Sequence, residues 1–244
     1  MKINYKDTII EFDKGSVILA GAGPGCINQV SLKVYSAIKQ ADVIIYDSLV
    51  NKNLLQLSKK SAKKIFGGKT KIKRACSQNE INEWMVHYSK MKKRVLRLKG
   101  GDPSFFSRGS QEIDFLKKNE INYKIFSGIT SSQQALNSSR LSFFNENDIC
   151  NFITGHRKIN NNSVAFDLKK ILDNNGRIII YMGISQIEKI SSDLMTFGMN
   201  PLTKVTLVSN ASLETEKIFF SIIKNVKESI IENNILPPSI IIIN

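Results

Sequence analysis

Long apolar runs are missing from this chain. No stretch of its 244 residues approaches the roughly 20 consecutive apolar side chains of a membrane-spanning helix, so no membrane partner is expected. Residues 1–15 are polar and mixed in charge, and they lack the apolar segment of a signal peptide. Cysteine is scarce. Cys26, Cys76 and Cys150 show neither metal-ligand spacing nor an even framework, which predicts free thiols in a reducing, cytoplasmic setting and no bound metal. The two histidines, His87 and His156, are far apart in the chain, and His87 falls beside Trp84 and Tyr88 on a helical pattern that reads as structural. Acid is also in short supply: 21 Asp and Glu stand against 35 Lys and Arg, a net charge of +14. Such a balance suits an anionic partner, whether nucleic acid, acidic lipid or a polycarboxylate. Lys, Asn and Ile are used heavily throughout, and compositional drift with a solvated lysine surface explains the same number.

What the chain does have is apolar residues, 42% of the total, enough for one large or two small cores. Its most informative stretch is residues 94–106, RVLRLKGGDPSFF. Val95, Leu96 and Leu98 alternate with Arg97 and Lys99 as in a short strand, which stops at Gly100-Gly101-Asp102-Pro103. Two glycines allow a sharp turn and a close approach of another molecule. Asp102 can accept from a ligand hydroxyl or amine. As a tetrapeptide alone, this is equally the signature of a surface turn.

The surrounding pattern is repetitive. Residues 1–14 read as a loose tail. Residues 16–20 (SVILA) form a strand that runs into Gly21-Ala22-Gly23-Pro24-Gly25, and a helix is predicted over residues 28–40. The apolar run 43–46 (VIIY) predicts a buried parallel strand ending at Asp47. A weak strand over 63–66 leads to Gly67-Gly68-Lys69, and strand 123–126 leads to Gly128-Ile129-Thr130-Ser131. This succession predicts a mostly parallel α/β domain over residues 15–127, with Asp47, Lys69, Asp102 and Thr130 at strand carboxyl ends. Residues 128–244 predict a second α/β domain with more antiparallel pairing: strands over 149–154, 177–182, 204–208, 217–221 and 240–243, and a helix over 184–197.

The Gly21-x-Gly23-x-Gly25 loop invites a dinucleotide reading. Cys26 stands where that fingerprint places its third glycine, and Pro24 removes an N–H from a loop meant to donate to phosphate. A ligand with a nucleoside but no phosphate, such as S-adenosylmethionine, suits the loop better.

Residues 17–50, RLKGGDP at 97–103, GITS at 128–131, TGH at 154–156 and YMG at 181–183 occur in that order. On these residues the chain resembles the tetrapyrrole methylases over nearly all of residues 16–243. The resemblance implies two α/β domains with S-adenosylmethionine folded in the cleft between them. It implies cofactor contacts at Pro24, Gly100, Gly101, Asp102, Phe105, Thr130, Ser131, Met182 and Ala211. It gives proton-transfer roles to Asp47 as acceptor and Lys69 as donor. Within the family the chain looks most like the members that methylate uroporphyrinogen III at two ring carbons to give precorrin-2, and a homodimer is the implied assembly. The residues alone leave room for other readings: Met182 as core, Lys69 as a solvated side chain, His156 as lining the cleft or not. The chain also departs from the family. Residues 137–146 (NSSRLSFFNE) replace a longer Gly-Ile-Pro-Leu-Thr-His-Arg loop, Ser127 replaces a proline, and Asn210-Ala211 replaces Asn-Gly. The rival functions are a later corrin-pathway methylase, an rRNA ribose methylase, and a homologue that binds cofactor without turnover. Nucleic acid is not the expected partner, because the polycarboxylate substrate accounts for the basic charge.

Overall fold

The computed structural model describes residues 10–68, 76–141, 144–155, 163–174 and 176–244. The chain divides into two compact units, one ending at Thr130 and the other running from Ser131 to Asn244.

The first unit contains β1 (Val17–Gly21), α1 (Leu32–Gln40), β2 (Val43–Tyr46), β3 (Lys63–Phe66), α2 (Gln78–Lys90), β4 (Val95–Lys99), α3 (Gly109–Lys118) and β5 (Tyr123–Phe126). The strands form a parallel sheet in the order β3-β2-β4-β1-β5. Strand β1 lies inside it, with Val17 opposite both Val95 and Tyr123. Both faces are covered, which is why β1 reads as an unbroken apolar run. Ile18 and Ala20 pack with Val34, Ala37 and Ile38 of α1. Val17 and Leu19 pack with Ile81 and Met85 of α2 and Leu116 of α3. Strand β4 follows the same two-residue period: Leu96 and Leu98 join the α1 side, and Val95 joins the α2/α3 side. Arg97 and Lys99 are in register with Val95, so the pleat sends both cations into the α2/α3 side.

Local signals set the helix ends. Ser77 caps α2 in a capping box: its Oγ accepts from Glu80 N at 3.1 Å, and Glu80 Oε2 accepts from Ser77 N at 2.7 Å. The expected loose tail is corrected where it is described. Phe12 is buried in the α1-side core, and its carbonyl accepts from Arg94 Nε at 2.6 Å. Two apolar residues, Ile10 and Phe12, are enough to dock this otherwise polar segment. Lys63 and Lys64 are exposed on β3, an edge strand, where charge discourages pairing with other chains.

The second unit contains α4 (Ser131–Ser138), β6 (Cys150–Thr154), α5 (Ser163–Asp173), β7 (Arg177–Tyr181), α6 (Ile187–Thr196), β8 (Lys204–Ser209), β9 (Lys217–Ile222), α7 (Val226–Glu232) and β10 (Ser239–Ile243). The sheet order is β6-β7-β10-β8-β9; β6 and β7 are parallel and the remaining pairs antiparallel. The run Ile240-Ile241-Ile242-Ile243 fills the central strand. Ile241 and Ile243 pack with Ile187, Ile190 and Leu194 of α6. Ile240 and Ile242 pack with Ala135 of α4 and with Val208.

Candidate active site

In the first unit the carboxyl ends of β1, β4 and β5 meet through glycine. Gly23 N donates to Gly101 O at 3.2 Å and Gly101 N to Gly23 O at 2.8 Å. Ala22 N donates to Lys99 O at 2.7 Å. A Cβ on Gly21 would lie 2.4 Å from Gly101 O and 2.7 Å from Gly128 N, and a Cβ on Gly128 would lie 2.4 Å from Gly101 O. The backbones touch where any side chain would separate them. Gly101 differs: its φ is +66°, and a Cβ there would meet no protein atom within 4 Å. The turn is closed on the protein side and open on the other.

Asp102 holds this arrangement. One carboxylate oxygen accepts from Gly128 N at 2.9 Å, and the other accepts from Ser104 N at 2.7 Å and from Ser104 Oγ. The loop after β2 lies alongside. Asp47 N donates to Leu98 O at 3.3 Å, and Leu49 Cβ sits 2.7 Å from where a Gly100 side chain would begin.

Asp47 is the outer end of a charge network. Arg97 Nη2 donates to Asp47 Oδ1 at 2.6 Å, and Arg97 Nε to Glu112 Oε1 at 2.9 Å. Lys99 Nζ reaches both Glu112 oxygens at 3.0 and 2.9 Å, and Gln78 Nε2 donates to Glu112 Oε1 at 3.1 Å. The side chains of Arg97 and Lys99 are 2% exposed, that of Glu112 0%, and that of Asp47 30%. Burial and the neighbouring Arg97 charge hold Lys99 below the usual lysine range, against the pull of Glu112. For Arg97 burial works in the lowering direction, and Glu112 with Asp47 overcomes it, leaving the guanidinium above its ordinary value.

Non-glycine residues with positive φ fall into two groups among the described residues. Lys92, Glu120, Arg140 and Asn234 each lie two residues beyond a helix, the usual left-handed stop. Phe106 (46°), Arg108 (61°), Met182 (52°), Asn210 (52°) and Ser212 (70°) lie instead in loops that follow β4, β7 and β8. A left-handed residue of this kind costs roughly 1–2 kcal/mol and marks loops shaped for something other than stability. In the second unit Gly155 N donates to Tyr181 O at 2.8 Å, and a Cβ on Gly155 would lie 2.6 Å from Met182 O. This packs Gly155 against the Tyr181-Met182-Gly183 segment. Met182 is 41% exposed, which rules out the core reading. Ala211 is buried and packs in the core with Tyr181 and Val208. Tyr181 Oη donates to Ser132 Oγ at 2.7 Å and so braces α4 beside its first residue, Ser131.

The family model for tetrapyrrole (corrin/porphyrin) methylases matches residues 16–227. The chain belongs to the tetrapyrrole methylases. It is 35% identical to a uroporphyrinogen-III C-methyltransferase of Methanocaldococcus jannaschii, over 94% of this chain and 95% of that protein. It is 35% identical to a siroheme synthase of Hahella chejuensis over 95% of this chain and 49% of that protein, so it spans about half the length of that relative. The solved uroporphyrin-III C-methyltransferase of Thermus thermophilus complexed with S-adenosylhomocysteine superposes with a TM-score of 0.78. That likeness has 27% identity over 94% of this chain and 97% of the other.

The residues expected from the resemblance are distributed over both units. Asp47, Gly100, Gly101 and Asp102 come together at the β2 and β4 ends of the first unit. Pro24 follows the bridging Gly23, and Phe105 is an exposed ring on the next turn, edge-on to Phe106 at 6.5 Å between centroids. Thr130 closes the first unit. Ser131, Met182 and Ala211 belong to the second. Lys69 and His156 lie outside the described residues. Sequence reasoning missed Glu112 and Gln78, which organise the charges behind Asp47. The only local signal was the alternation that places Arg97 and Lys99 on one face.

Proposed function

We propose that this methylase catalyses S-adenosylmethionine-dependent C-methylation of uroporphyrinogen III at two ring carbons, giving precorrin-2. The observation that carries the reading is the Gly23–Gly101 bridge, which leaves the space over Gly101 open at the carboxyl end of β4, next to the β2 end where the Asp47 carboxylate is anchored from behind by Arg97. The residues fit a phosphate-free nucleoside. The loop's Gly23 N–H is spent on Gly101 O, and α1 starts only at Leu32, with its own cap on Ser31 Oγ, which accepts from Val34 N at 3.3 Å. The glycine loop runs into a short turn at Ile27–Gln29 and not directly into an α-helix as in a dinucleotide site.

When bound, S-adenosylmethionine supplies an electrophilic methyl group on its sulfonium. Gly100 and Gly101 let the backbone lie close to it, and Asp102 fixes the turn. Pro24, Phe105, Thr130, Ser131, Met182 and Ala211 complete the proposed contacts. Positioning in line with a ring carbon is the main contribution these residues make. Methylation leaves the ring one positive charge in excess, and loss of one proton restores neutrality. Asp47 takes that proton, and Lys69 is the proposed donor or carboxylate anchor. The octacarboxylate substrate also gives the basic charge a use.

The test offers purified protein and labelled S-adenosylmethionine three acceptors without oxygen: uroporphyrinogen III, an already methylated precorrin, and ribosomal RNA. Label in the first supports the reading. Label confined to the second or third assigns the chain to a later corrin step or to RNA.

A further inference from the structure

The buried charges behind Asp47 are poorly explained by stability. Ion pairs taken out of water gain little or nothing over apolar residues of similar volume, because desolvation offsets their attraction. Yet Arg97, Lys99 and Glu112 are all buried on the α2/α3 side of the sheet, among Val95, Met85 and Leu116. The arrangement is directional. Glu112 is fully buried on α3 and is fixed by Gln78 from α2 and by Lys99 and Arg97 from β4. Each guanidinium nitrogen of Arg97 has a partner: Nε on Glu112, Nη2 on Asp47, and Nη1 over the carbonyls of Ile45 and Leu98 at 3.5 and 3.4 Å. The network runs from the interior outward and ends on the one partly exposed member.

We infer that Glu112 is a positioning residue for the methyl-transfer reaction: it holds the Arg97 guanidinium at a fixed angle, and Arg97 in turn orients the Asp47 carboxylate toward the reacting ring. The inference rests on Asp47 as the proton acceptor. Lys99 balances the second charge of the set, so that two cations meet two carboxylates. Gln78 and Lys99 keep Glu112 from following Arg97 if the latter swings. A carboxylate held at only one oxygen by a flexible arginine would sample several orientations, and misplacement by about 1 Å can cost about a hundredfold in rate.

The double variant Glu112→Leu/Lys99→Met removes one charge of each sign and leaves Asp47 as the charged partner of Arg97. We expect it to fold, to bind S-adenosylmethionine within about twofold of wild type, and to keep its KM for uroporphyrinogen III. Its kcat should fall at least about tenfold, because only orientation is lost. Glu112→Asp alone, which keeps the charge balance but withdraws the carboxylate from Arg97 and Lys99, gives a second reading should the double variant not fold. It should lower kcat with unchanged cofactor affinity. A folded variant of either kind with kcat within about twofold of wild type overturns the inference, since it makes Glu112 a structural residue only. Asp47→Asn is measured in parallel. If that variant turns over normally, the proton-acceptor reading itself fails and takes the inference with it. If Asp47→Asn is inactive while the Glu112 variants are fully active, only the inference falls.

Discussion

Asp102 accepts the backbone N–H of Gly128 at 2.9 Å, and that bond ties the turn after β4 to the loop after β5. Asp102→Asn keeps one acceptor oxygen but turns an NH2 group toward either Gly128 N–H or Ser104 N–H. A buried donor then faces a donor, and we predict a loss of about 1–3 kcal/mol, read from the denaturant midpoint. An unchanged midpoint would mean that the turn holds its shape without this carboxylate.

The glycines should separate by function. Gly128→Ala places a Cβ 2.4 Å from Gly101 O, a backbone atom that cannot step aside, so we predict severe destabilisation or failure to fold. Gly101→Ala meets no protein atom. It should cost only about 1–2 kcal/mol of left-handed strain and yield a folded protein. Its new methyl enters the open side of the turn, so cofactor affinity should drop at least about tenfold by calorimetry. A Gly101→Ala protein that binds normally would take this turn out of the site.

Asp47→Asn keeps the shape and one oxygen for Arg97 but cannot take a proton. We predict that S-adenosylmethionine binding stays within about twofold and that turnover falls about 10²–10⁴-fold. Turnover within about threefold of wild type would send the proton elsewhere.

At the amino ends of β2 and β4, Asp42 supplies acid-sensitive stability. Burial pushes its carboxyl upward. The Arg94 backbone N–H at 2.9 Å and the Lys59 ammonium at 3.0 Å outweigh this, and the net value lies below the ordinary carboxylate range. A carboxyl with a lower value in the folded than in the unfolded state contributes stability above the unfolded value, about pH 4, and loses it as pH falls through the folded one. Asp42→Asn should therefore be less stable than wild type at pH 7 by about 0.5–1.5 kcal/mol and lose less on acidification below about pH 4. Parallel acid curves for the two proteins would contradict this.

The legible parts of the fold were those with a local cause. The apolar runs before Gly21, Asp47 and Gly128 marked parallel strands, and the Gly-Gly-Asp-Pro sequence marked the turn that the structure puts at the end of β4. Boundaries shifted where short helical turns intervene: the helix expected over residues 28–40 is a turn at Ile27–Gln29 followed by α1 from Leu32. The helices α5 and α7 escaped a reading based on strand punctuation. The network behind Asp47 escaped for a different reason. Arg97 and Lys99 among the apolar residues read simply as an alternating short strand, and their burial depends on a carboxylate thirteen residues beyond Lys99 that α3 brings back to them. Likewise Phe12 looked like part of a tail, because its pocket is built by residues far along the chain.

The central claim is that this chain methylates uroporphyrinogen III, and the most direct measurement is the mass of the tetrapyrrole after incubation with excess S-adenosylmethionine without oxygen. The account predicts a product heavier by two CH2 units, since each added methyl replaces one proton, formed by wild type and lost in Asp47→Asn. An unmodified tetrapyrrole from folded protein that binds the cofactor would contradict it.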